Sequence, residues 1–349
     1  MLRAQMERPQ FHEVIDLYRE LTATKYCSHP IHSECEGQIV KAHTVPKSGS
    51  LGRIAKKGHV YQFRADLPLL KQTHRRPVEK LIGINDASTF TGFCSRHDSK
   101  VFEPIEVRPF EPIAQHAFLL AYRSICRELF AKQHHVDVLQ QLKDFDRGLS
   151  VEDQMKMQEF LSISASGAQS GLSRLVDCKA KLDTVLMTSS YEDVSFYTLL
   201  LNRPPEIVAT GSIYVEYDFD GARLQPLANP NNKLDVITFS VIATESGGAV
   251  VFSWIDETHG ACTRFIESLN RIQKSGIGDA IVRFLFTCCE NTFFSPVWWE
   301  TQSTTNQAKI RERANLGTFF TNLPPSDCLV HDGLHFVEWN EITVASNVI

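Results

Sequence analysis

The sequence predicts an α+β fold with a metal-stapled N-terminal region, on three observations. Cysteines, histidines, glycines and basic residues crowd residues 1-111, apolar residues recur at helical spacing through residues 112-203, and period-two strands alternate with helical stretches over residues 204-349. These three stretches are the expected domains. With 349 residues, 43% hydrophobic and 22% charged, the chain has core material for two or three folding units. That composition excludes a disordered chain, a collagen and a disulfide-stapled miniprotein.

In the first stretch, short apolar runs are broken by Pro46, Gly49, Gly52, Gly58 and Gly83, and seven of the thirteen histidines fall there. Cys94 and His97 have the spacing of a zinc knuckle, where one tight turn aims a thiolate and an imidazole at a single ion. Cys27 and Cys35 are separated by seven residues, with His29 and His32 between them. Thiolate binds zinc more strongly than an added imidazole, so the expected ligands are Cys27, Cys35, Cys94 and His97, with His32 in reserve. The competing reading makes them buried thiols and surface histidines. Nine cysteines, an odd number without framework spacing, point to reduced thiols; Cys126, Cys178, Cys262 and Cys328 read as core, and Cys288-Cys289 as packing.

The second stretch reads as a helical hairpin or small bundle. Phe118, Tyr122, Ile125 and Leu129 share one helix face, as do Leu172, Leu175, Cys178, Leu182 and Val185, and Ser162-Gly171 reads as a loop of small residues between them.

In the third stretch, Ser212-Phe219 alternates as a strand and Asp220-Gly221 signals a hairpin turn. Val236-Ala243 and Ala249-Trp254 flank Gly247-Gly248 as a second hairpin. Helices are expected near Cys262-Lys274 and Ile277-Phe286, then an aromatic segment, Glu290-Glu300, and a final strand pair near Leu334-Val344. Trp298 and Trp299 read as core, or alternatively as part of a partner-binding surface or of an enzyme site around Glu290-Trp299.

Charge is unevenly placed. Residues 1-110 carry 17 Lys+Arg against 12 Asp+Glu, a balance of +5, which leaves 19 against 29, or -10, for the remainder of a chain whose net charge is -5. Lys41, Lys47, Arg53, Lys56, Lys57, Arg64, Lys71, Arg75 and Arg76 are a candidate phosphate-facing patch, with Tyr61 and Phe63 available to stack on bases. His59 and His74 read as surface residues, and Ser88 or Thr89 as caps of backbone groups. No apolar run reaches the roughly 18 to 20 residues that cross a bilayer, and the charged start is unlike a signal peptide, so the expected setting is cytoplasmic, without membrane contact.

Two segments carry a family resemblance. KAHTVPKSG (Lys41-Gly49) resembles the Ala-His-x-x-Pro segment of HNH, or ββα-metal, nucleases, and GFCSRHDSKVF (Gly92-Phe102) resembles their treble-clef knuckle leading into a helix. The resemblance covers roughly residues 27-106. It implies that His43 is the general base, Asn85 the asparagine that orients it, and Asp98 the group standing where the family has a cation-holding histidine. The stretch between His43 and Asn85 is about double the family's usual loop, and Asp98 is a departure, although a carboxylate binds magnesium through oxygen. Phosphodiester cleavage needs a base, a divalent metal at the leaving oxygen and fixed positive charge near the phosphate. The resemblance therefore implies structural zinc, catalytic Mg2+ or Mn2+, and a DNA or RNA substrate in bacterial (antiphage) defence. His43 also reads as a packing residue of a non-catalytic zinc domain. The alternative expectation is thus a nucleic-acid-binding or scaffold protein whose helical and C-terminal regions meet a protein partner or a second copy. No Walker loop, dinucleotide fingerprint or nucleophile elbow is present, which argues against an NTPase, a dehydrogenase and an α/β-hydrolase.

Overall fold

The computed structural model describes residues 6-64, 76-227, 232-255, 260-317, 323-339 and 341-348. Helix α1 (Phe11–Thr22) is entered through a capping box in which the Gln10 main-chain N–H donates to the Glu13 carboxylate at 2.6 Å. An extended segment follows and leads into strand β1 (Ile39–His43), then a helical turn from Lys47 that ends as α2 (Gly52–Ile54). A hairpin of β2 (His59–Arg64) and β3 (Val78–Gly83) precedes β4 (Thr89–Cys94) and helix α3 (Ser95–Glu106). β4 pairs antiparallel with β1, from Ile39 opposite Cys94 to His43 opposite Thr89. Two strands and a helix therefore form one unit, interrupted by residues 44-88.

Helices α4 (Ala114–Gln141) and α5 (Val151–Thr188) form the expected helical hairpin. The Tyr122 hydroxyl donates to Asp183 at 2.7 Å, and Gly171 lies opposite Lys132, so the helices run antiparallel. The Ser162-Gly171 stretch, expected as a loop, is instead the interior of α5. Ser164 and Ala168 are buried between Leu161 and Leu172, and their small size lets α5 close on Val136 and Leu139 of α4. Small residues signal a loop when solvated and a close helix contact when buried, and composition alone does not separate the two.

The remaining elements are β5 (Ser195–Leu201), β6 (Ile207–Ile213), β7 (Ile237–Thr244), β8 (Gly247–Trp254), α6 (Ala261–Asn270), α7 (Lys274–Cys288), β9 (Thr292–Phe294), α8 (Pro296–Thr301), α9 (Thr304–Ala314) and β10 (Ile342–Ser346). They build an antiparallel sheet of order β10-β5-β8-β7-β6-β9-β2-β3. The expected β7–β8 hairpin forms, but its two-residue turn is Glu245-Ser246, and Gly247 and Gly248 open β8, paired with Thr244 and Ala243. Gly247 has φ +151°, and a Cβ there would sit 2.0 Å from the Leu201 carbonyl oxygen, so only glycine fits.

Two other strand expectations need correction. Ser212-Phe219 is not a strand: β6 ends at Ile213, and beyond it only Tyr217 bridges to Arg223. The turn itself is present, with the Asp218 carboxylate accepting the N–H groups of Asp220 and Ala222. Val215 and Phe219 satisfy their alternation by entering the core without a ladder. Near the C-terminus one strand, β10, replaces the expected pair, and its partner is β5.

Every residue of β8 is buried, because helices cover both faces of the sheet. Phe239, Val241, Phe252 and Trp254 pack with α6 and α7, while Phe196, Ile242, Ala249 and Val251 share a core with Phe118, Tyr122 and Ile125 of α4. α4 is buried on all sides from His116 to Cys126, with the sheet beneath it and the β1–β4–α3 unit above. Small polar residues make room for it, and the Ser253 hydroxyl donates to the Ala117 carbonyl at 3.3 Å.

The sheet also crosses the boundaries at which sequence texture changes, since β2 joins β9 with Tyr61 opposite Phe294. Tyr61 and Phe63, considered for base stacking, lie against Phe294 with ring centroids 5.7 and 5.4 Å away, because residues two apart on a strand share its core-facing side. Asn291 closes the join: its side-chain NH2 lies 3.1 Å from Thr44 Oγ1, 3.3 Å from Ser88 Oγ and 3.1 Å from the Thr210 carbonyl oxygen. Ser88 Oγ also accepts the Val45 N–H at 3.1 Å, a capping role of the kind expected for it. Trp298 and Trp299 are buried in the core.

Candidate metal centre

Four side chains from three places converge at the root of the β1–β4–α3 unit. Cys27 lies on the extended segment, which is held to β4 by N–H groups of Tyr26 and Ser28 donating to the carbonyls of Thr91 and Gly92. Cys35 follows a single 3-10 turn, His32–Glu34, and its N–H donates to the His32 carbonyl at 3.1 Å. Cys94 ends β4 and His97 lies in the first turn of α3. Gly37 permits the close approach: its φ is +74°, and a Cβ there would lie 2.1 Å from Ser95 Oγ.

His97 Nδ1 is 3.4 Å from Cys27 Sγ, 3.6 Å from Cys35 Sγ and 3.3 Å from Cys94 Sγ. All four candidate ligand atoms lie within 4.8 Å of one another. Zinc bound to sulfur at about 2.3 Å and nitrogen at about 2.0 Å would set tetrahedral N···S neighbours about 3.5 Å apart. The cluster fits that ion.

Its electrostatics fit as well. Burial lowers the His97 pKa, so the ring is neutral and Nδ1 offers a lone pair to the cluster. Burial and the neighbouring thiols push Cys35 up to about 12. Burial opposes the Cys94 thiolate too, yet N–H groups of His97 and Glu36 donate to it and bring its pKa below the ordinary thiol value. Three thiolates this close repel one another, and a dication removes that repulsion.

His32, the reserve ligand, is exposed and outside the cluster. His29, unassigned in the sequence, stacks on the His97 ring at 3.7 Å and accepts the Ile31 N–H through Nδ1 at 3.1 Å.

His43 ends β1, half-buried, with Nε2 3.0 Å from the Ile84 carbonyl oxygen. A carbonyl only accepts, so Nε2 carries the proton and the lone pair of the neutral ring is on Nδ1. Burial lowers its pKa, with the charges of Lys47 and Arg123 acting in the same direction. Asn85 is exposed in the turn between β3 and β4, and its neighbour Ile84 makes the contact to His43. Asp98 is half-buried on α3; its Oδ1 is buried with no hydrogen-bond partner among the described residues, and burial raises its pKa.

Sequence reasoning missed Arg123. It is 1% exposed, pairs with Glu106 at 2.7 Å, donates to the His43 carbonyl at 3.0 Å and stands 3.9 Å over the Phe102 ring. An arginine inside an amphipathic helix pattern gives no local sign of such a role.

Among the basic residues, Lys41 pairs with Asp86 at 2.9 Å and Lys56 with Glu300 at 2.7 Å. Lys47, Arg53, Lys57, Arg64 and Arg76 are exposed, and Lys71, His74 and Arg75 lie outside the described residues. No helix among the described residues is long and apolar enough to cross a membrane. Comparison of this chain with protein-family models, curated proteins and solved structures finds no match.

Proposed function

We propose that this chain is a zinc-stapled, HNH-like nucleic-acid-binding protein in which His43 is the base of a divalent-metal-dependent phosphodiester hydrolysis. The observation that carries this reading is the meeting of Cys27, Cys35, Cys94 and His97 where β4 turns into α3, beside a β1 strand that ends in His43. Zinc at that junction would supply a rigid staple between the N-terminal segment and the unit, which suits a treble-clef arrangement. His43 is neutral, its Nε2 is held by the Ile84 carbonyl, and its Nδ1 is the atom that takes a proton from water. Asp98, with its unpartnered carboxylate oxygen, is the residue that would hold Mg2+ or Mn2+. That cation would neutralise charge developing on the leaving oxygen. Lys47, Arg53, Lys57 and Arg76 would meet the DNA or RNA backbone, and a role in bacterial defence follows from the resemblance alone.

A second reading keeps zinc and nucleic-acid binding but drops the chemistry. It is favoured by Asn85 standing exposed, with its neighbour Ile84 rather than Asn85 making the contact to His43. On that reading the helical and C-terminal regions serve a protein partner or a second copy.

Incubating the protein with plasmid DNA or RNA and Mg2+ or Mn2+ separates the two. Cleavage that His43→Ala abolishes while zinc content stays unchanged supports the nuclease; inertness combined with a salt-sensitive gel shift supports the binder. Protein that purifies without zinc, and folds normally as Cys94→Ser, removes both.

A further inference from the structure

A metal-bound imidazole is ordinarily steadied by a hydrogen bond from its second nitrogen to a carbonyl or carboxylate, which fixes ring orientation and tautomer. His97 lacks that support. Its Nδ1 faces the three sulfurs, while its Nε2 is buried without a hydrogen-bond partner among the described residues. Against the ring lies His29 instead, with centroids 3.7 Å apart and planes 9° from parallel. His29 is buried, and its own orientation is set because Nδ1 accepts the Ile31 N–H at 3.1 Å. A ring nitrogen that accepts carries no proton, so the His29 imidazole is neutral. It can therefore lie flat on a zinc-bound ring without adding positive charge beside the ion.

We infer that His29 is a positioning residue of the metal centre, its stacked ring holding the His97 imidazole in the plane that aims Nδ1 at the ion. The inference rests on zinc occupying the Cys27, Cys35, Cys94 and His97 cluster, as proposed above. The segment from Cys27 to Cys35 then supplies two thiolates and also the ring that orients the fourth ligand. Without the stack, the His97 ring must be ordered at the moment of binding, which costs affinity.

Two substitutions separate the ring from the bond that holds it. His29→Asn puts a carboxamide oxygen where Nδ1 stood, so the Ile31 N–H keeps an acceptor while the stack is lost. His29→Phe keeps an aromatic ring and loses the acceptor. Zinc affinity of each full-length protein is read by competition with a chromophoric chelator, and cobalt(II) in place of zinc reports ligand geometry through its visible absorption. Kd for zinc should rise about tenfold or more in His29→Asn, with an altered cobalt spectrum. In His29→Phe it should stay within about threefold of the wild type, with the wild-type spectrum. Wild-type affinity and spectrum in His29→Asn would overturn the role of the stack. Equal losses in both variants would overturn it too, because the ring alone would then not restore the site. A wild-type protein that binds no zinc would remove the metal centre itself, and the inference with it.

Discussion

The guanidinium of Arg123 on α4 donates to the main-chain carbonyl of His43 at the end of β1, 80 positions earlier in the chain. Through this bond the buried central helix holds the strand that carries the proposed base, while Glu106 balances the charge from α3. Arg123→Met removes the bond and leaves the His43 carbonyl without its donor, whereas Glu106, 38% exposed on its side chain, still reaches water. The expected loss is about 2 to 3 kcal/mol, read by urea denaturation. Stability unchanged within about 0.5 kcal/mol would mean that the contact does not hold β1.

Zinc content offers a direct test of the cluster. One equivalent of zinc should copurify, and Cys94→Ser should lose it, because Cys94 is one of three thiols around His97 Nδ1. Cys126→Ser changes a buried thiol outside the cluster and should keep the metal. Metal analysis of the three proteins checks this. Equal zinc in the wild type and Cys94→Ser would place the ion elsewhere.

The helical Ser162-Gly171 stretch can be tested with its glycines. A Cβ at Gly167 meets nothing within 4 Å, and at Gly171 it would make ordinary contact with Lys132 at 3.7 Å. Both sites are in the middle of α5, so Gly167→Ala and Gly171→Ala should each stabilise by about 0.5 to 1 kcal/mol. Thermal melts showing destabilisation by either change would argue against a continuous helix.

His335 places Nδ1 2.9 Å from Asp279 and Nε2 2.8 Å from Glu338, and its bonds to these carboxylates raise its pKa. A histidine whose folded pKa is raised stabilises fully below its unfolded pKa of about 6.5, and that contribution fades as pH climbs through the folded value. Because the ring is 55% exposed, the effect is small. The melting difference between wild type and His335→Gln should be largest near pH 6 and shrink above neutrality. A difference that grows with pH would contradict the assignment.

Much of the architecture was legible because it is local. The β7–β8 hairpin follows from two β-branched and aromatic runs on either side of a short break at Gly247-Gly248, and α6 and α7 follow from their periodicity. Ser162-Gly171 and Ser212-Phe219 were misleading for one reason: small-residue content and alternation acquire meaning only from what covers them. In α5 the small residues face α4, and after β6 the alternating residues enter the core without a neighbouring strand.

The metal cluster divides along the same line. Residue type and the short Cys94 to His97 spacing determined by themselves that a thiol and an imidazole share one turn, and that reduced cysteines were available to join them. Thiolate affinity for zinc already favoured Cys27 and Cys35 over His32 as the other two ligands; only the tertiary structure decided that they reach that turn from 70 and 62 positions away, while His29 stacks on His97 and His32 turns to solvent. It likewise decided that residues 59-64 and 78-83 extend the sheet built by the C-terminal half. Helix and turn preferences are set over about four neighbouring residues, whereas ligand choice and strand partnership depend on burial shared by distant segments, which exists only once they have docked.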